Sequence, residues 1–245
     1  MTRQSTTRNL TLQGFTPPLR LADFRLIAFD MDSTLINIEC IDEIADAVGL
    51  KGEVAAITEA TMRGEIADFK TSLRRRVALL KGVSVQDMER VYTERLQLNP
   101  GATQLVAACK KAGMKTLLVS GGFTFFADRV ARRLGIDEAK SNALEVVDSV
   151  LTGNLLQQSW GDICDGEEKR KTLLQTCALL GIQPSQAIAV GDGANDLPMM
   201  GAAGLSVAYH AKPKVREQAM VAIDEGGLDR LLEIFNERRW DIHPA

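Results

Sequence analysis

Arg25-Leu-Ile-Ala-Phe-Asp30 is a run of apolar residues that ends in a carboxylate. Lys115-Thr-Leu-Leu-Val-Ser120 repeats the pattern and leads into Gly121-Gly122, and Ala187-Ile-Ala-Val-Gly-Asp192 repeats it again. Short, nearly continuous apolar runs bounded by glycine and polar residues read as strands buried on both faces of a parallel sheet. Leu205-Ser-Val-Ala-Tyr209 and Val221-Ala-Ile-Asp224 are weaker candidates of the same kind. Helical segments lie between: Pro100 to Ala112 with a Gly113 stop, Phe123 to Leu134 ended by Gly135, Glu167 to Leu180 ended by Gly181, then Lys212 to Met220 and Leu228 to Trp240. Strands alternating with helices predict an α/β protein built on a doubly wound parallel sheet. Ligands bind such sheets outside the carboxyl ends of the strands. Asp30, Ser120 and Asp192 each occupy such an end, so groups far apart in sequence are expected to meet.

The first strand and the helix at Pro100 are separated by a long insertion with helical periodicity and no clear strand. Ile41, Ile44, Ala45 and Val48 mark an amphipathic helix stopped by Gly49. Val54–Met62, Asp68–Leu80 and Val85–Leu96 suggest three more. The expected organisation is an N-terminal arm (1–24), a core domain (25–35 and 98–245) and a small helical cap (36–97) set over the strand ends. The arm reads as loose and ends at Pro17-Pro18. Leu144 to Leu151 is β-prone and Thr152-Gly153-Asn154 reads as a turn, so a hairpin flap is expected there.

Composition narrows the function. The 245 residues carry 29 Lys and Arg against 32 Asp and Glu, a net charge of −3, which argues against a nucleic-acid partner. Four cysteines, Cys40, Cys109, Cys164 and Cys177, include no Cys-x-x-Cys pair and read as reduced thiols. Only His210 and His243 occur, which disfavours a histidine triad or a multi-histidine metal site. No apolar run reaches the ~18 residues of a membrane helix. The polar Met1–Arg20 stretch lacks a signal core, so the cytoplasm is the expected compartment and no membrane partner is expected.

Three motifs carry the chemistry. In Asp30-Met-Asp-Ser-Thr34 two carboxylates two residues apart repel each other unless a cation offsets them, and Mg²⁺ takes such hard oxygen ligands. One acid could attack an electrophile while the other moves a proton. Ser120-Gly-Gly122 before a helix offers a hydroxyl and free N–H groups to an anion. In Gly191-Asp-Gly-Ala-Asn-Asp196, Asp192 could complete a metal site, Asn195 could bind a phosphate oxygen, and Asp196 could act from behind the ligands. Lys169 could neutralise phosphate, although helical periodicity places Arg170 as close to the Leu173, Cys177 and Leu180 face. Each motif alone also reads as a solvated turn or a surface charge. All of them at strand ends do not.

Together these motifs resemble the four signatures of the haloacid dehalogenase-like superfamily, over about Arg25 to Ile234. The resemblance implies a Rossmann-like core with an inserted helical cap. It implies Mg²⁺-dependent hydrolysis of a small phosphate ester, O-phospho-L-serine, through a phosphoaspartate, the last step of serine biosynthesis. Asp30 would be the nucleophile and Asp32 the general acid and base. Asp30, the Asp32 carbonyl and Asp192 would hold the metal. Ser120, Gly121, Lys169 and Asn195 would hold the phosphate. Glu39 would meet the substrate ammonium and Arg76 its carboxylate, with Met62 and Phe69 as apolar neighbours. Periodicity adds that Arg76, but not Arg74 or Arg75, shares a face with Phe69, Leu73 and Leu80. The assembly would be a monomer or homodimer. The alternatives are another small phosphate ester as substrate, a receiver-type phosphate acceptor, or a silent binding protein on the same scaffold. Two segments look longer than in relatives, between Gly64 and Phe69 and from Gly153 to Asp162. The short N-terminal arm leaves no room for a regulatory domain, so feedback through one is not expected.

Overall fold

The computed structural model describes residues 5–7 and 10–235. Nine strands form one sheet: β1 (Ser5–Thr7), β2 (Leu10–Leu12), β3 (Leu26–Phe29), β4 (Lys115–Phe123), β5 (Glu138–Val147), β6 (Val150–Leu156), β7 (Ala187–Gly191), β8 (Leu205–Tyr209) and β9 (Val221–Ile223). Their order is β1-β2-β9-β8-β7-β3-β4-β5-β6. β9, β8, β7, β3, β4 and β5 run parallel to one another, and at the two edges β2 pairs antiparallel with β9 and with β1, and β6 antiparallel with β5.

The helices are α1 (Cys40–Ala47), α2 (Lys51–Met62), α3 (Phe69–Leu79), α4 (Val85–Arg90), α5 (Ala102–Lys111), α6 (Thr124–Leu134), α7 (Gly166–Leu179), α8 (Leu197–Ala202) and α9 (Pro213–Gln218). The continuous apolar strands have the cause expected of them. In β3, Ile27 and Phe29 join the core layer shared with α5 and α6, while Leu26 and Ala28 join the layer shared with α7, α8 and α9. Each strand is covered on both sides, so it cannot alternate with polar residues.

β3 sits between β4 and β7, parallel to both. The chain leaves β3 toward one side of the sheet and later returns to fill the other. That reversal opens a crevice at the carboxyl ends. Asp30 follows β3, Asp192 follows β7, and Ser120 lies near the end of β4.

Several expectations need correction. Among its described residues the arm is not loose: β2 pairs with β9, and Leu10 and Leu12 are buried. A three-residue strand is too short for periodicity to reveal. The hairpin turns at Asp148-Ser149, both left-handed (φ 50° and 63°), and not at Thr152-Gly153-Asn154. Gly153 lies within β6 for another reason. A Cβ there would come within 3.1 Å of the Ala78 carbonyl oxygen, so glycine lets α3 approach the hairpin. Gly82 N–H donates to the Leu151 carbonyl and Leu151 N–H to that of Val83, both at 2.8 Å, tying the inserted helices to β6. The expected Val85–Leu96 helix is α4 followed by a wider turn at Val91–Arg95. The C-terminal helix is a 3₁₀ segment, Leu228–Ile234, and Trp240 lies outside the described residues. Leu180, expected in the core, is 37% exposed. The four cysteines are buried and unpaired. Among the described residues no helix is long and apolar enough to cross a membrane.

Candidate active site

The crevice gathers the expected groups around one lysine. Lys169, on the first turn of α7, has no exposed surface. Its Nζ donates to Asp30 Oδ1 at 2.7 Å and to Asp196 Oδ1 at 2.6 Å. Arg170, which periodicity could not distinguish from it, faces outward and pairs with Glu167. Burial by itself would strip the charge from Lys169. The carboxylates of Asp196 and Asp30 outweigh that and hold the ammonium above the usual lysine range.

Asp30, Asp192 and Asp196 bring carboxylate oxygens within 4.8 Å of one another. So many buried acids are costly without further positive charge. Burial, then Asp196, raise Asp30 well above the ordinary carboxylate range despite Lys169. Burial, then Asp196 and Glu39, raise Asp192 to about 7. The cluster therefore suits a hard divalent cation with oxygen ligands. Asp196 is less available to such an ion. Its Oδ1 takes Lys169, and its Oδ2 accepts the N–H groups of Asp192 and Gly193 at 3.2 and 3.0 Å. It fixes the loop and the lysine. Gly191 has no side chain because a Cβ would collide with Asp196. Thr34, the last residue of the first motif, donates to Asp192 Oδ1 at 3.3 Å and so joins the first loop to the third.

Asp32 stands beside Asp30 in a different setting. Its Oδ2 accepts the Cys40 N–H at 3.2 Å, and its Oδ1 is buried with no partner. Burial, then the charge of Glu39, push it up to about 7. An acid poised there can both give and take a proton near neutrality.

The Ser120-Gly-Gly122 segment differs from expectation. It lies inside β4, where the pairing to β5 slips between Val119 and Phe123, and α6 begins only at Thr124. The Gly122 N–H is not free, because it donates to Ser120 Oγ at 2.9 Å. The segment is thus a distorted strand end and not a helix N-terminus. Asn142, to which the sequence assigns no role, braces it. Its Nδ2 donates to the Gly121 carbonyl and its Oδ1 accepts the Cys164 N–H, both at 2.8 Å. Asn195 folds over Gly193, where a Cβ would collide with its Oδ1.

The inserted helices contribute the remaining residues. Phe69 lies over Gly121, with its Cζ 3.0 Å from where a Cβ would stand. Arg76 turns inward while Arg74 and Arg75 are exposed, as the spacing predicts. Its Nε is buried without a partner, as is Asp42 Oδ1. Burial lowers its pKa, opposed by Asp42, Glu39 and Asp32. Glu39 is exposed just before α1 and accepts a hydrogen bond from Ser33 Oγ at 2.6 Å. Met62 stands 75% exposed at the end of α2.

Comparison with known proteins agrees with this geometry. The sequence pattern of the haloacid dehalogenase-like hydrolases matches residues 24–204. The phosphoserine phosphatase of Polaromonas sp. is 75% identical over 225 residues, covering 92% of this chain and 95% of that one. The phosphoserine phosphatase of Albidiferax ferrireducens is 73% identical over 226 residues, with the same coverage. A solved phosphoserine phosphatase carrying a phospho-aspartyl intermediate analogue superposes with a TM-score of 0.79 at 37% identity, over 87% of this chain and 99% of that one.

Proposed function

The chain belongs to the haloacid dehalogenase-like hydrolases, and from that premise we propose that it hydrolyses O-phospho-L-serine to L-serine and phosphate through a phosphoaspartate on Asp30. The observation that carries this reading is the convergence of Asp30, Lys169 and the Asp192–Asp196 loop at adjoining strand ends. The 75% identity to a phosphoserine phosphatase supports the substrate, as does an inward Arg76 with an unpartnered Nε. A receiver-type phosphate acceptor gains no support.

In the first step an Asp30 oxygen attacks phosphorus, and the bond from phosphorus to the serine oxygen breaks. Asp32, raised to about 7 by burial and by Glu39 and so able to carry a proton near neutrality, gives that proton to the oxygen. In the second step Asp32 takes a proton from water, the water oxygen attacks the phosphoaspartate, and Asp30 leaves as carboxylate. Splitting the reaction places the nucleophile permanently in position. Lys169, Ser120, Gly121 and Asn195 bind the phosphoryl oxygens. Mg²⁺ would be held by Asp30, the Asp32 carbonyl and Asp192, supplying positive charge against the phosphoryl oxygens. The helices of residues 36–97 serve as the cap on the core formed by 25–35 and 98–245. From the cap, Arg76 takes the substrate carboxylate, Glu39 the ammonium, and Phe69 with Met62 the apolar surroundings.

Two experiments test this. Arg76→Ala is expected to lower kcat/KM for phosphoserine roughly 10–100-fold, the range for losing a charged bidentate contact. The loss for phosphoethanolamine, which has no carboxylate, should be much smaller. Equal losses, or no wild-type preference for phosphoserine, would contradict the substrate assignment. Separately, saturating Mg²⁺ should raise the melting temperature by about 5–10 °C, and Asp192→Asn should remove most of that rise. An undiminished rise in the variant would place the ion elsewhere.

A further inference from the structure

We infer that Ser33 is a positioning residue for substrate selection, its hydroxyl fixing the Glu39 carboxylate where it can receive an ammonium group. This rests on the reading of Glu39 given above. Ser33 has φ 57°, in the left-handed region that a non-glycine residue enters only when its surroundings favour it. The surroundings are visible. Its N–H donates to the Ile38 carbonyl at 3.2 Å, and its Oγ donates to Glu39 Oε1 at 2.6 Å. One residue further out on each side, the Cys40 N–H reaches Asp32 Oδ2 at 3.2 Å. Three hydrogen bonds thus stitch residues 32–33 to residues 38–40.

Glu39 is the residue preceding α1, a position whose side chain commonly caps the helix. It makes no such cap bond. Its carboxylate is turned instead to Ser33. A glutamate on an exposed turn would otherwise sample many rotamers, and ordering it would be charged against substrate binding. Held by Oε1, it keeps Oε2 for an ammonium. The same turn holds Asp32, so the group that recognises the amine and the group that moves the proton form one rigid piece. An ester bound by its ammonium would then have its leaving oxygen registered against Asp32.

The test compares phosphoserine with 3-phosphoglycerate, in which a hydroxyl replaces the ammonium. Ser33→Ala is expected to lower the ratio of their kcat/KM values about 10-fold, the lower end for a hydrogen bond to a charged group. The loss should enter through KM for phosphoserine. Ser33→Gly, which adopts the left-handed conformation freely, should lose as much selectivity and guards against misfolding of the alanine variant. In a Glu39→Gln background, Ser33→Ala should add no further loss. If Glu39→Gln collapses the ratio while both Ser33 variants keep it, the inference about Ser33 fails and the reading of Glu39 stands. If Glu39→Gln leaves the ratio intact, the reading of Glu39 itself fails. A loss in Ser33→Ala that Ser33→Gly does not share would assign the effect to the backbone and overturn the role of the hydroxyl.

Discussion

Asp30→Asn is expected to abolish phosphate release, lowering kcat by roughly 10⁴-fold or more, as replacement of a covalent nucleophile does elsewhere. The amide keeps the shape of the side chain but has no carboxylate oxygen to attack phosphorus. The site should remain assembled, because Lys169 retains its partner Asp196 at 2.6 Å. Circular dichroism and thermal melting should therefore report a folded protein, and phosphoserine should still bind. A folded variant that releases phosphate at even a tenth of the wild-type rate would require a different nucleophile.

Lys169→Met should harm both activity and stability. The methionine fills much of the lysine volume but leaves Asp30 and Asp196 without their shared cation. Removing one member of a buried ion pair costs about 3–5 kcal/mol. A pH series gives the diagnostic sign. In the wild type the Lys169 ammonium is held above its ordinary range, so it stays charged at every pH below that and contributes throughout the acidic and neutral range. Without it, Asp30, already raised by burial, rises further. As pH falls through that raised value the carboxyl takes up a proton and the uncompensated charge disappears. The deficit against wild type should therefore narrow toward acid and widen toward neutral pH. A deficit independent of pH would mean that lost packing, not charge, dominates at this position. Activity should fall at least 100-fold, since the phosphoryl oxygens lose a fixed cation.

The part of this site that could be read from sequence is the part set by strand ends. A parallel strand buried on both faces must be apolar, and the first polar residue beyond it marks the crevice. That reasoning placed Asp30 and Asp192 just past their strands and required no knowledge of contacts, whereas Ser120 lies three residues before the end of β4. It failed where tertiary packing decides. Lys169 and Arg170 are neighbours on one helix turn with the same charge, and only the packing of α7 against the sheet buries the first and exposes the second. Gly153 reads as a turn because glycine usually signals one, yet here it admits α3 against β6. The Ser120-Gly-Gly122 segment reads as a helix start because glycine often precedes a helix, but the chain continues as a distorted strand to Phe123. Asn142 carries no local signal at all. Its role depends on a carbonyl and an N–H that come from positions 121 and 164. Arg76 was legible for a different reason: an arginine on the inward stripe of an amphipathic helix breaks the pattern its neighbours obey.

The central claim, that the side chain of residue 30 becomes covalently bound to phosphorus, is tested most directly by acid quench of the enzyme within milliseconds of mixing with labelled phosphoserine, followed by peptide mapping. The expected result is a transient, hydroxylamine-sensitive acyl phosphate confined to the peptide containing Asp30 and absent from Asp30→Asn. Label on a different residue, or full turnover with no labelled protein at any quench time, would contradict it.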